Sequence, residues 1–215
     1  MSVVVKICGL SSEDALAAAV AGGARFVGFV FYPPSPRHLT IERAAALATR
    51  VVPGITRVGV MVDPDDEFLA RLLAKAPLDL LQLHGKETPQ RVLAIKERFR
   101  IRAMKAIAVA GEADLDHAKA YLGVADWLMF DAKPPKDRTD AMPGGNALAF
   151  DWRLMRARRW PVPWMLSGGL DPDNLAEAAT ISGADALDVS SGVESAPGIK
   201  DPAKIRLFLA RAHAL

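Results

Sequence analysis

Short apolar runs alternate along the chain with longer stretches in which apolar residues recur every three or four positions. The short runs cover residues 3–8, 26–31, 57–62, 78–83, 101–106, 127–131, 164–167 and 186–190. Runs of this length with almost no polar interruption predict strands buried on both faces. The stretches between them, rich in alanine and leucine, predict helices at 13–21, 40–50, 64–75, 89–98, 112–121, a short one near 152–156, then 172–180 and 202–212. Ser12, Thr40, Asp63, Thr88, Asp171 and Asp201 stand where helix N-caps belong, and four of the six precede a proline suited to the first helical position. Eight strand–helix units predict a parallel sheet, and eight units close into an α/β (β/α)8 TIM barrel, a single domain spanning 1–215. A doubly wound open sheet is the competing architecture. It rarely needs eight regular repeats, and no Gly-x-Gly-x-x-Gly follows the first strand. Residues 132–147, reading AKPPKDRTDAMPGGNA, break the alternation and predict a long loop or lid after the sixth strand.

Composition narrows the partners. Of 215 residues, 51% are hydrophobic and 24% charged, as in an ordinary packed domain. A net charge of +2 argues against a nucleic acid or an anionic membrane as partner. The basic group Arg153, Arg156, Arg158 and Arg159 reads as a solvated helix end. A single cysteine excludes an internal disulfide and a cysteine-pair zinc site, and the four histidines show no metal-ligand spacing. No apolar run reaches the roughly 18 residues of a membrane helix, and the first 25 residues do not read as a signal peptide. The expected location is the cytoplasm.

In such a barrel chemistry belongs at the carboxyl ends of the strands. The first strand ends in Lys6-Ile7-Cys8-Gly9, so Lys6 and Cys8 share a face. Cys8 reads either as a reactive thiol or as an inert buried one. Lys6 is the cation that would favour a thiolate, and it is equally placed to pair with Asp188 of the eighth strand. Asp131 closes an apolar sixth strand, where desolvation raises a carboxyl pKa and suits a general acid; a cap or a salt bridge to Lys133 is the alternative. Arg37, between Pro36 and the second helix, has a fork suited to a carboxylate or phosphate, or is a surface arginine. His84 reads as a support or a ligand contact. The turns Gly168-Gly169 and Ser191-Gly192, after strands seven and eight, match the position where this fold binds phosphate, so a phosphorylated small molecule is expected.

These motifs together resemble the phosphoribosylanthranilate isomerase family of tryptophan biosynthesis. Lys6-Ile7-Cys8-Gly9, Phe29-Val30-Phe31 through Ser35-Pro36-Arg37, Gln82-Leu83-His84-Gly85, Phe150-Asp151-Trp152, Ser167-Gly168-Gly169-Leu170, Asp188-Val189-Ser190-Ser191-Gly192-Val193-Glu194 and Pro197-Gly198-x-Lys200-Asp201 carry the resemblance, in the family's order, from about residue 3 to 209. It implies a cofactor-free Amadori rearrangement of N-(5-phosphoribosyl)anthranilate. Cys8 would be the general base, Asp131 the general acid and Arg37 the holder of the anthranilate end. Gly168, Gly169, Ser191 and Gly192 would hold the phosphate and Asp188 would also bind the substrate, in a monomer or homodimer. Two departures stand out. Pro143-Gly144-Gly145-Asn146 replaces a Gly-Thr-Gly-like element, and Ser167 stands where the family often has alanine. An epimerase or indole-glycerol-phosphate synthase would share the phosphate turns, but would want metal-ligand histidines or a lysine–glutamate set. A non-catalytic sugar-phosphate binder would need neither Cys8 nor Asp131.

Overall fold

All eight predicted strands form, and each pairs in parallel with the next. The computed structural model describes residues 3–133, 144, 148–156 and 158–215. In it β1 (Val4–Cys8), β2 (Phe26–Phe31), β3 (Thr56–Met61), β4 (Leu80–Leu83), β5 (Arg102–Val109), β6 (Trp127–Ala132), β7 (Trp164–Leu166) and β8 (Ala186–Val189) close into a barrel in chain order. Closure is made by β8 against β1, with Lys6 opposite Asp188. The helices between them are α1 (Glu13–Ala21), α2 (Ile41–Ala48), α3 (Asp66–Lys75), α4 (Pro89–Phe99), α5 (Glu112–Ala118), α6 (Arg153–Arg156), α7 (Leu175–Ser182) and α8 (Pro202–His213).

The unbroken apolar runs have a simple cause: each strand is covered on both faces, by the barrel interior and by the helices. In β2 all six residues are buried. Phe26 and Val30 join Cys8, Val60, Met104 and Met165 in an inner cluster, whereas Val27, Phe29 and Phe31 join the outer layer with Leu16, Leu47 and Leu69. The two-residue period thus turns Cys8 inward and Ile7 outward toward the helices.

Most helix starts follow the predicted caps. Ser12, Thr40, Thr88 and Asp201 each accept a backbone N–H from the first turn of the helix that follows. Asp171 accepts from Asp173 N and Asn174 N in the turn before α7, which starts three residues later than expected, at Leu175. Asp63 is the correction. α3 is capped by Asp65, while Asp63 has φ 45° and accepts the N–H of Lys86 at 2.7 Å, drawn toward the loop after β4. β5 runs on to Val109 because Ile107 and Val109 continue its buried outer row.

One element was not foreseen. β9 (Glu194–Ala196) and β10 (Ile199–Lys200) form a small antiparallel hairpin around Pro197-Gly198. Two and three residues are too few for a period-two pattern to register. Arg153, Arg156 and Arg159 are exposed as expected, whereas Arg158 is half-buried against Glu112 and Asp116. The predicted lid, including Pro143, Gly145 and Asn146, lies outside the described residues apart from Ala132, Lys133 and Gly144. Among the described residues no helix is long and apolar enough to cross a membrane.

Candidate active site

The carboxyl ends of the strands surround a cleft of about 790 Å³, measured to its open mouth. Cys8, Arg37, His84, Asp131, Asp188 and the Gly168-Gly169 turn all line it. Residues separated by more than 180 positions in the chain meet there because β8 closes onto β1.

Cys8 is the one free cysteine and is buried, 7% exposed. Burial pushes its thiol pKa up; the Lys6 ammonium pulls it back, and the Asp188 carboxylate adds to the rise, leaving it above the usual value. Lys6 is completely buried and donates to Asp188 Oδ1 at 2.7 Å. Burial alone would lower the Lys6 pKa, but Asp188 and Cys8 outweigh it and hold the ammonium firmly protonated. Of the two roles weighed for Lys6, the ion pair with Asp188 is formed; burial raises the Cys8 pKa, and the ammonium opposes that rise without cancelling it. Ser167 donates its hydroxyl to Asp188 Oδ2 at 3.0 Å. Both carboxylate oxygens of Asp188 are thus engaged within the barrel.

Asp131 faces the same cleft from β6. Its partner is not Lys133, which pairs with Asp114 at 2.7 Å. Instead Asp131 Oδ1 accepts the N–H of Ala132 at 2.9 Å, and Oδ2 lies 3.2 Å from His84 Nε2. The Gln82 side-chain amide nitrogen lies 3.0 Å from His84 Nδ1, so the imidazole is held between Gln82 and Asp131. The loop carrying His84 is fixed from below. Buried Lys105 donates to the carbonyls of Leu83 and Gly85, on either side of His84, and to Glu87 Oε2. Glu87 accepts in turn from the N–H groups of Asp63 and Gly85.

The glycine turns are sterically required. Gly168 and Gly169 have φ of +90° and +65°, and a Cβ on Gly168 would lie 2.7 Å from Ala132 N. A Cβ on Gly192 would lie 2.0 Å from the Leu170 carbonyl oxygen, so the turns after β7 and β8 touch backbone to backbone. Among the described residues nothing accepts a hydrogen bond from the N–H groups of Gly168, Gly169, Ser191 or Gly192. Gly168, Gly169 and Ser191 line the cleft, with Gly192 just behind them in the chain, and such donors suit an anion.

Arg37 is not a surface arginine: it is 6% exposed. Its Nε and Nη2 donate to Glu194 at 2.7 and 2.8 Å. The fork is therefore already occupied along one edge by a protein carboxylate. The sequence reading missed Gln82, Lys105, Glu87 and Glu194 as supporting residues. A lysine inside the apolar run of β5 was the one available signal, since a charged residue in a strand buried on both faces needs a partner.

Comparison with known proteins agrees with this geometry. The family model described as N-(5'phosphoribosyl)anthranilate (PRA) isomerase matches residues 5–211. An N-(5'-phosphoribosyl)anthranilate isomerase of Rhodospirillum centenum is 60% identical over 100% of both chains. One of Paramagnetospirillum magneticum is 56% identical over 99% of this chain and 98% of its own. The crystal structure of the phosphoribosyl anthranilate isomerase from Thermotoga maritima superposes with a TM-score of 0.87 at 36% identity, covering 99% of this chain and 100% of that one. A phosphoribosyl anthranilate isomerase in complex with reduced 1-(o-carboxyphenylamino)-1-deoxyribulose 5-phosphate superposes with a TM-score of 0.82 at 34% identity, covering 99% and 100%. The chain belongs to the N-(5'-phosphoribosyl)anthranilate isomerase family, enzymes of tryptophan biosynthesis.

Proposed function

We propose that the protein converts N-(5-phosphoribosyl)anthranilate into 1-(2-carboxyphenylamino)-1-deoxyribulose 5-phosphate, with Asp131 as general acid and Cys8 as general base. The observation that supports this most is that Cys8 and Asp131, from β1 and β6, line one cleft with the donor-rich turns after β7 and β8. The carboxyl proton of Asp131 passes to the ring oxygen as the C1′–O bond breaks, and the amine lone pair forms the iminium. The thiolate of Cys8 then takes the C2′ proton, and those electrons neutralise the iminium to give an enol-amine. Proton return to C1′ and loss of the C2′ hydroxyl proton yield the ketone, so no atom or electron is gained overall.

The supporting groups follow from the same contacts. His84 holds Asp131 Oδ2 toward the cleft. Lys6 stabilises the thiolate against the cost of burial. The N–H groups of Gly168, Gly169, Ser191 and Gly192 take the phosphate, while Arg37 takes the anthranilate carboxylate. The ligand named for the solved relative, reduced 1-(o-carboxyphenylamino)-1-deoxyribulose 5-phosphate, carries both a phosphate and an aryl carboxylate, which supports this reading.

The test is turnover by the purified protein, read as loss of anthranilate-type fluorescence. Wild type should turn over the substrate. Cys8→Ala and Asp131→Asn should each lower kcat by about 10²–10⁴-fold with little change in substrate affinity. A Cys8→Ala protein at wild-type rate would restore the inert-cysteine reading, and an Asp131→Asn effect confined to KM would make Asp131 a binding residue only.

A further inference from the structure

Arg37 sits in a buried charge cluster with Glu194 and Lys200. Glu194 opens β9 and Lys200 closes β10, so the hairpin brings both against Arg37. The Glu194 carboxylate accepts four hydrogen bonds: from Arg37 Nε at 2.7 Å, Arg37 Nη2 at 2.8 Å, Lys200 Nζ at 2.5 Å and Gly198 N at 3.2 Å. That uses its whole accepting capacity. The arginine stem is fixed from the other side by Gly9, where a Cβ would fall 2.7 Å from Arg37 Cδ. Gly198 packs as closely on the carbonyl of Pro36, 2.5 Å from a Cβ position. The side chain is thus set before a ligand arrives, and Nη1 is the one guanidinium nitrogen that takes no part in the Glu194 pair.

The charge count gives the cluster its second property. An arginine–glutamate pair by itself is neutral and attracts an anion only through its dipole. With Lys200 added, two cations face one carboxylate; burial lowers the Lys200 pKa and Glu194 opposes that fall, so the cluster behind the cleft wall carries one net positive charge. Lys200 also donates to the Ser190 carbonyl and hydroxyl, beside the Ser191-Gly192 turn. The hairpin therefore joins the wall carrying Arg37 to the turn that faces the other end of the cleft.

We propose that Glu194 and Lys200 set the enzyme's preference for a carboxylated aryl amine: Glu194 orients Arg37 so that its Nη1 edge meets the substrate carboxylate, and Lys200 keeps that edge net positive. The proposal rests on the reading that Arg37 holds this carboxylate. Glu194 and Lys200 are positioning residues, since they act through Arg37.

Two competitive inhibitors test it: the reduced product, and the same compound with phenylamine in place of the 2-carboxyphenylamine. The readout is the ratio of their inhibition constants. Glu194→Asp keeps every charge and withdraws the carboxylate by one methylene. Lys200→Met removes the extra charge, and Lys200→Arg restores it. Glu194→Asp and Lys200→Met should each reduce the preference for the carboxylated inhibitor about tenfold, the scale of one charged hydrogen bond, through that inhibitor alone. Lys200→Arg should keep most of the preference. Glu194→Gln raises the local positive charge and yet should weaken the carboxylated inhibitor, because the fork is no longer held. Equal weakening of both inhibitors, or tighter binding in Glu194→Gln, overturns the proposal. A preference that survives Arg37→Ala overturns the Arg37 reading itself. One lost in Arg37→Ala but intact in Glu194→Asp and Lys200→Met overturns only the positioning role of Glu194 and Lys200. If Lys200→Met does not fold, Glu194→Asp decides by the same ratio.

Discussion

The Cys8 thiol is caught between opposing effects, and their signs give a test at the scale of single residues. Burial and the Asp188 carboxylate hold the proton on sulfur; Lys6 works to remove it. With the thiol pKa above its usual value, the base form is a minority at neutral pH, and kcat/KM should climb as pH rises through the alkaline range. Lys6→Met deletes the cation and should shift that limb, and the pH profile of Cys8 alkylation, further upward. Asp188→Asn deletes an anion and should shift both downward. Alkylation rate against pH in the three proteins checks this. Superimposable curves in folded variants would mean that Lys6 and Asp188 only fill the barrel. The chain showed that Lys6 and Cys8 share a face, because strand alternation is local. That burial outweighs the lysine depends on the walls around them, which no local pattern contains.

At the scale of the element, the loop after β4 illustrates how His84 is kept in place at the cleft. Lys105 on β5 clamps the carbonyls on both sides of His84, and Glu87 clamps the amides of Asp63 and Gly85. Both members of the pair are buried, at 3% and 1% side-chain exposure. Removing one member leaves an uncompensated buried charge, so Lys105→Met should cost about 3–5 kcal/mol of unfolding stability. Lys105→Met combined with Glu87→Gln should recover part of it, a coupling that a double-mutant cycle in urea reads directly. Because the loop carries the partner of Asp131, kcat should fall in the single variant while KM changes little. A loss under about 1 kcal/mol would show that the loop holds itself. Helix and strand existence was legible from apolar period and caps. The hairpin β9–β10 was not, because its strands are shorter than any periodicity, and the displaced cap at Asp63 was not, because a loop distant in sequence competed for its carboxylate.

For the whole molecule the distribution of paired carboxylates predicts the acid limit of stability. Against the cost of burial, Arg37 and Lys200 hold the Glu194 carboxyl below its usual 4.5, and Arg57 holds that of Asp79 below 3.8. Below these values the unfolded chain binds protons that the folded protein refuses, so stability rises with pH there and is fully present above the unfolded values. The melting temperature should be level near neutrality and fall as pH drops below about 4.5. Glu194→Gln should lower the neutral plateau and flatten the acid slope; an unchanged slope would remove Glu194 from the groups responsible. Charge and cysteine counts said nothing about this, since it depends on which carboxylates find cations across the barrel.

What the sequence by itself determined is whatever a run of neighbours can encode. That includes eight alternating units and hence the barrel, the inward face of Cys8 and Lys6, the position of Asp131 at the end of an apolar strand, and the glycines of the turns after strands seven and eight. Tertiary structure alone decided which distant groups meet. Closure of β8 onto β1 gave Lys6 the carboxylate of Asp188, the meeting of β4 with β6 across the cleft gave Asp131 a histidine rather than Lys133, and the hairpin gave Arg37 a glutamate and a lysine. The physical reason is that apolar burial follows a local period, whereas a buried charge is stable only beside its partner, and that partner can come from anywhere in the chain.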